Sequence, residues 1–236
     1  MTSPFGASST IPAAGTADRE RIAVFMRGVF WWMTLGLGVT ALVATWVAGS
    51  PAAVASLVNT PLLFYGLLFA ELGLVWYLSA RVASMSPSTA GALFLLYSAL
   101  NGTTFSLILL AYTSASVANA FFVSAAMFGA MAVYGHVTKR DLTAMGRFMF
   151  MGLIGLVIVS VISIFWHSDA LQFSLGVVGV VVFAGLTAYD TQRLAAMATQ
   201  TSGAQASTSA IVGALSLYLD FVNMFLAILR IIGRRK

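Results

Sequence analysis

Seven long apolar runs constrain this chain more than any other feature: residues 25–48, 61–79, 90–112, 117–135, 148–166, 171–189 and 209–232. Each holds about 19 residues or more, close to the ~20 that an α-helix needs to cross ~30 Å of hydrocarbon. Inside a bilayer every backbone N–H and C=O must be satisfied without water, and a helix does this within its own segment. The connections between the runs are short and leave no room for an extra-membrane domain. The fold class read from this pattern is an all-α integral membrane protein with a seven-helix transmembrane bundle. Composition supports it. Hydrophobic residues make up 60% of the chain and charged residues 8%, against about 45–50% and about 25% in soluble domains. Too few charges remain to cover a water-facing surface, and disorder needs the opposite balance. With no cysteine there is no disulfide framework, thiolate metal site or thiol nucleophile.

Residues 1–17 are rich in Ser, Thr, Ala, Gly and Pro, and read as a flexible tail. The chain therefore divides into a tail over 1–20 and a seven-helix domain over 21–236. No phosphate-binding glycine loop, zinc spacing or nucleophile elbow occurs, so an enzyme is not expected and no resident cofactor is implied. His136 and His167 lie at segment ends, where an interfacial side chain is the plainer reading than a ligand.

The 12 basic residues carry the orientation. Arg19, Arg21 and Arg27 stand at the start of segment one, and Arg81 follows segment two. Lys139, Arg140 and Arg147 follow segment four, Arg193 follows segment six, and Arg230, Arg234, Arg235 and Lys236 close the sequence. The loops after segments one, three and five carry none. Cytoplasmic loops collect Lys and Arg, so the N-terminus and the even-numbered loops are predicted to be cytoplasmic. This basic balance marks a membrane sidedness rather than a nucleic-acid partner. The last four cations conflict with it if segment seven crosses fully. Either that segment is re-entrant or it crosses shielded by the other helices. Cation counting favours a cytoplasmic Lys236.

Three of the 7 acidic residues, Glu71, Asp190 and Asp220, lie within or at the edge of apolar runs. A carboxylate at the bilayer centre costs about 2.5–3.5 kcal/mol on insertion scales, so each needs a partner, a proton or water. Asp220 sits mid-segment in the series Ser209, Gly213, Ser216, Asp220, Asn223, Ala227 and Arg230, whose steps of three and four place it on one helix face. Such a stripe belongs inside a bundle, either along a water-filled path or at a polar helix–helix seam. Asp190 ends segment six, and two readings stay open for it: a functional carboxylate, or an N-cap for the short stretch that follows. Arg81, on the same predicted side, is placed to pair with it. Glu71 is an accessory polar site with Ser216 and Asn223. Two neighbouring carboxyls titrate as a unit, and with both ionised they offer the oxygen ligands that calcium prefers.

The run Gly135-His136-Val137-Thr138-Lys139-Arg140-Asp141-Leu142, continuing through Met145-Gly146 to Met151-Gly152-Leu153, resembles the mid-chain signature of the Bax inhibitor-1 family, the transmembrane Bax-inhibitor motif proteins. Ala188-Tyr189-Asp190-Thr191-Gln192 and the segment from Ala214 to Asn223 around Asp220 resemble its two aspartate motifs. The likeness covers residues 27–233 and is of the bacterial type. It implies a central last helix enclosed by two three-helix layers, and a calcium leak governed by a pH-sensing aspartate pair. By motif the pair, and the cation site, are Asp190 and Asp220, with Arg81 as the latch. The resemblance also favours a spanning seventh segment.

The function expected is therefore a pH-sensitive calcium leak channel in a cell membrane, the inner (plasma) membrane in a bacterium. Its partners are the bilayer, calcium and protons. Two other readings stand beside it: a regulatory membrane protein acting on a membrane protease or stress response through membrane-protein partners, and a proton-coupled cation exchanger. The exchanger would be supported by inverted repeats, and no convincing internal repeat is found.

Overall fold

The computed structural model describes residues 14–81, 84–166 and 168–236. Eight helices follow in order: α1 (Ala14–Ala48), α2 (Pro51–Asn59), α3 (Pro61–Arg81), α4 (Pro87–Ala111), α5 (Ser114–Val137), α6 (Thr143–Phe165), α7 (Asp169–Ala198) and α8 (Gly203–Ile232). All but α2 are long and apolar enough to cross a membrane. Every apolar run of the sequence falls, to within one residue, inside one of these seven, so the expected all-α bundle is the observed one.

Local chemistry sets the helix boundaries. Ser50 and Ser86 accept hydrogen bonds from Ala53 N and Thr89 N, each with a proline opening the helix that follows. Thr113 caps α5 in the same way through Ser116 N. Such hydroxyls satisfy amides that have no partner in a helix's first turn. The turn from α7 to α8 is short because Gly203 adopts φ 58°, a left-handed conformation that costs glycine little.

Two expectations change here. Residues 14–20, assigned to a tail, are the first turns of α1, whose 35 residues make a rod of about 52 Å; residues 1–13 lie outside the described residues. The connection after the first span contains the short helix α2 rather than plain loop.

The packing order is two layers of three around a core helix. α8 packs against α1, α4, α5 and α7, whereas α3 joins through α4 and α6 through α7. In α8, 72% of the apolar window is buried inside the protein, against 6% in α6 and 11% in α3. The C-terminal helix is thus central and the outer helices face lipid, as the resemblance implied. Tyr218, Leu217 and Met224 of α8 are fully buried, and the Tyr218 ring meets Phe94 and Tyr97 of α4 edge-on at 5.7 Å.

α8 is one unbroken helix, so a re-entrant last segment is excluded. Its start shares a groove with the first turns of α1. Its far end leads to residues 233–236, which dock on the α4–α5 connection. Lys236 N donates to Ala111 O and Thr113 N to Arg234 O, both at 3.0 Å, and Arg235 forms an antiparallel bridge with Tyr112. Residues 234–236 therefore lie at the opposite end of the bundle from Arg19 and Arg21. Cation counting placed both groups on one side, and packing of α8 through the bundle overrides it.

Candidate functional site

The two aspartates reach one cavity because α7 and α8 are both longer than their apolar cores. α7 continues beyond Tyr189 to Ala198, since Thr191, Leu194 and Ala198 bury against the rest of the bundle, each below 5% exposure. Asp190 is thus inside a helix, and the N-cap reading does not hold. The antiparallel register is set where small residues let the helices close. A Cβ added at Gly179 would stand 3.0 Å from Ala227 Cβ, and one at Gly213 would overlap the Leu194 side chain. In that register Ser216 stands across from Asp190, and Asp220 lies four residues further along, about 6 Å deeper.

Asp190, Ser216, Asp220 and Asn223 all line one cavity of about 630 Å³ between α6, α7 and α8. The carboxyls of Asp190 and Asp220 lie within electrostatic reach of one another. Asp220 is 5% exposed, and its Oδ2 is buried with no hydrogen-bond partner. A buried acceptor left unsatisfied is costly, so this oxygen is open to a proton, a water or a cation. Asn223 Nδ2 donates to Leu219 O at 2.8 Å, and Ser216 Oγ reaches Val212 O at 3.5 Å.

The cation beside Asp190 is Arg193, not Arg81. Arg193 Nη1 lies 3.9 Å from Asp190 Oδ1, and this is the one side-chain ion pair among the described residues. Arg81 ends α3, which packs on α4 and α2, and its side chain is exposed. The sequence placed Arg81 and Asp190 at the same membrane face but could not show that α3 packs on α4 and α2 while α7 packs on α5, α6 and α8. Arg193 was legible in the sequence, one helical turn beyond Asp190, once α7 is known to continue. Arg147 adds a second guanidinium to the cavity lining.

Glu71 belongs to a different cluster. Thr104 Oγ1 donates to Glu71 Oε1 at 2.6 Å and Asn101 Nδ2 approaches Oε2 at 3.4 Å. Tyr218 OH in turn donates to Asn101 Oδ1 at 3.0 Å and lies 2.7 Å from Thr40 Oγ1. Tyr218 and Asp220 are two residues apart, about 200° around the helix, so Glu71 and the aspartate pair flank opposite sides of α8. Nothing in the sequence pattern pointed to Asn101, Thr104 or Thr40 as its partners, because their link runs through tertiary contact alone.

The mid-chain signature residues frame the site. Gly135 packs directly on the Ala188 backbone. Gln192 binds the α5–α6 connection at both ends of its amide: its Oε1 accepts from Leu142 N at 2.9 Å and its Nε2 donates to Arg140 O at 2.8 Å. In the same loop Asp141 Oδ1 accepts from Thr143 N at 2.8 Å. Hydrogen bonds from the Thr143 hydroxyl and amide hold the Asp141 carboxyl below the usual carboxylate range. His136, in the last turn of α5, is exposed as an interfacial side chain would be, and His167 lies outside the described residues.

For a divalent cation the cavity offers two carboxyls, with the Ser216 hydroxyl and the Asn223 side chain near them. Among the described residues no cluster of three or more His, Cys, Asp or Glu is suited to a metal. Calcium takes six to eight oxygens, so water would complete the shell. Such a set suits passage better than retention.

Residues 22–236 match the protein family described as "Inhibitor of apoptosis-promoting Bax1". The chain is 47% identical over 222 residues to the inner membrane protein YbhL of Escherichia coli K12, covering 92% of this chain and 94% of that one. It is 46% identical over 216 residues to an uncharacterized protein of Deinococcus radiodurans, covering 90% and 91% respectively. An uncharacterized protein of Borreliella burgdorferi is 38% identical over 226 residues, with 94% and 97% covered.

Proposed function

Because the chain belongs to the Bax inhibitor-1 family, we propose that it is a pH-sensitive calcium leak pathway in which Asp190 and Asp220 form one proton-sharing, cation-binding unit. The observation that supports this reading is the shared cavity: Asp190 and Asp220 both line it, and Asp220 Oδ2 is buried without a hydrogen-bond partner. With one proton on the pair, mutual repulsion is relieved and the Arg193 guanidinium can remain on Asp190. With both carboxyls ionised the pair offers its oxygens to a cation, for which Arg193 competes. The latch role read for Arg81 passes to Arg193 on the ion pair at 3.9 Å. The step is binding and release, and no covalent chemistry is asked of the site. Calcium is cargo and the proton is its competitor. By analogy with the similar inner membrane protein, the membrane is the bacterial inner membrane, and the cluster Arg19, Arg21 and Arg27 favours a cytoplasmic N-terminus.

The test is calcium flux into liposomes that hold only this protein, across pH 5–8, for the parent, Asp190→Asn, Asp220→Asn and the double variant. Each single change removes one charge and the coupling together, so each is expected to flatten the pH dependence, with little added by the double. Additive, independent effects would overturn the shared site. Absence of calcium flux in the parent would overturn the leak and leave the regulatory reading.

A further inference from the structure

We propose that the lateral cleft between α1 and α5, with the cations of residues 234–236 at its mouth, is a binding site for one anionic phospholipid. α1 and α5 both pack on α8 but make little contact with each other. The gap leaves a cleft of about 490 Å³ floored by Phe221, Val222 and Phe225 of the central helix, within the range of ordinary ligand pockets, about 300–1,000 Å³. Its walls are aromatic and braced. Phe105 stacks on Phe225 with centroids 6.0 Å apart, and Phe121 meets Phe221 edge-on at 5.6 Å. Phe122, on the α5 side, is 70% exposed at the rim, so the cleft opens sideways into lipid rather than into water.

One end of the cleft is formed by Leu109 of α4 and Ser114 and Val117 of α5, and the basic segment docks at that end. Lys236 Nζ donates to Leu109 O at 3.0 Å, and Arg234 N donates to Ser116 Oγ at 2.9 Å. With Arg235 bridged to Tyr112 through the backbone, the three basic residues 234–236 are anchored beside that end of the apolar slot. No carboxylate among the described residues pairs with them, since the single side-chain ion pair lies elsewhere, at Arg193 and Asp190. They also lie at the end of the bundle where cation counting does not place Lys and Arg. An unbalanced cluster at the headgroup level beside a tail-shaped apolar cleft matches a phosphate above an acyl chain, as basic pockets between transmembrane helices do for anionic lipids. Free phosphate would use the cations and leave the cleft unfilled.

The test is native mass spectrometry of the full chain, titrated with phosphatidylglycerol, with phosphatidylcholine of the same tails, and with glycerol phosphate. One phosphatidylglycerol is expected to be retained with at least tenfold preference over phosphatidylcholine, and glycerol phosphate is not expected to compete. Arg234→Ala/Arg235→Ala/Lys236→Ala should abolish the preference, because the backbone contacts of the segment survive while its charges go. Lys236→Gln alone should weaken it, with even less disturbance of the fold. Ala118→Trp, which fills the cleft from its exposed α5 wall, should reduce retention of phosphatidylglycerol without touching a charge. Equal retention of the two lipids, a full preference in the triple variant, unchanged binding in Ala118→Trp, or competition by glycerol phosphate would each overturn the proposal.

Discussion

Asp220 Oδ2 is a buried polar atom that the protein itself leaves unsatisfied, while the other two acids within or at the edge of the apolar runs have partners. Asp190 has Arg193 and Glu71 has Thr104 with Asn101. The contrast separates an open binding group from two held ones. If the guanidinium of Arg193 restrains Asp190, Arg193→Ala should raise basal calcium flux several-fold at neutral pH, whereas Arg81→Ala should leave it at the parent level. The opposite ranking would return the latch to α3. Tyr218 is fully buried, with its hydroxyl between Asn101 and Thr40. Tyr218→Phe keeps the ring packing and strips one hydroxyl from a closed network. An orphaned buried partner costs about 1–3 kcal/mol, so the variant should unfold at lower temperature while its pH profile of flux stays unchanged. A shifted profile would show that the Glu71 cluster and the aspartate pair act as one.

At the scale of elements, the α5–α6 connection is held to α7 by one side chain. Gln192 supplies a donor and an acceptor to the backbone on either side of Asp141. Gln192→Ala should therefore speed hydrogen exchange at Leu142 and its neighbours by at least tenfold, with the cores of α6 and α7 unaffected. Uniformly faster exchange across both helices would mean that Gln192 supports the bundle rather than the loop. The extension of α7 past Tyr189 follows the same logic of local polarity and distant support. Hydropathy falls after Asp190 because Thr191, Gln192 and Arg193 are polar, yet burial of Leu194 and Ala198 against the bundle sustains the helix. That extension leaves Asp190 about one helical turn from Asp220 in depth.

For the whole molecule, the beginning of α1 and residues 234–236 lie at opposite ends of the bundle, so opposite faces of the membrane are expected for them. The chain has no cysteine, so single cysteines report cleanly. Ser207→Cys, in the groove beside the start of α1, and Lys236→Cys should label from opposite sides with a membrane-impermeant maleimide in oriented vesicles. Labelling from one side would restore the sidedness expected from charge and break the single crossing of α8.

The amino-acid sequence by itself determined the seven spans and the polar stripe on the last of them. These depend on apolar run length and helical spacing, both local properties that a bilayer enforces on each segment separately. The family motifs added the pairing of Asp190 with Asp220 and the central position of the last helix. Only the tertiary structure decided that Arg193 rather than Arg81 meets Asp190, that Glu71 turns to Asn101 and Thr104, and that the final cations lie at the opposite end of the bundle from the first. Each of those depends on which helices touch and in what register. Register is set by close approaches such as Gly179 on Ala227, contacts between residues far apart in the chain that no local pattern encodes.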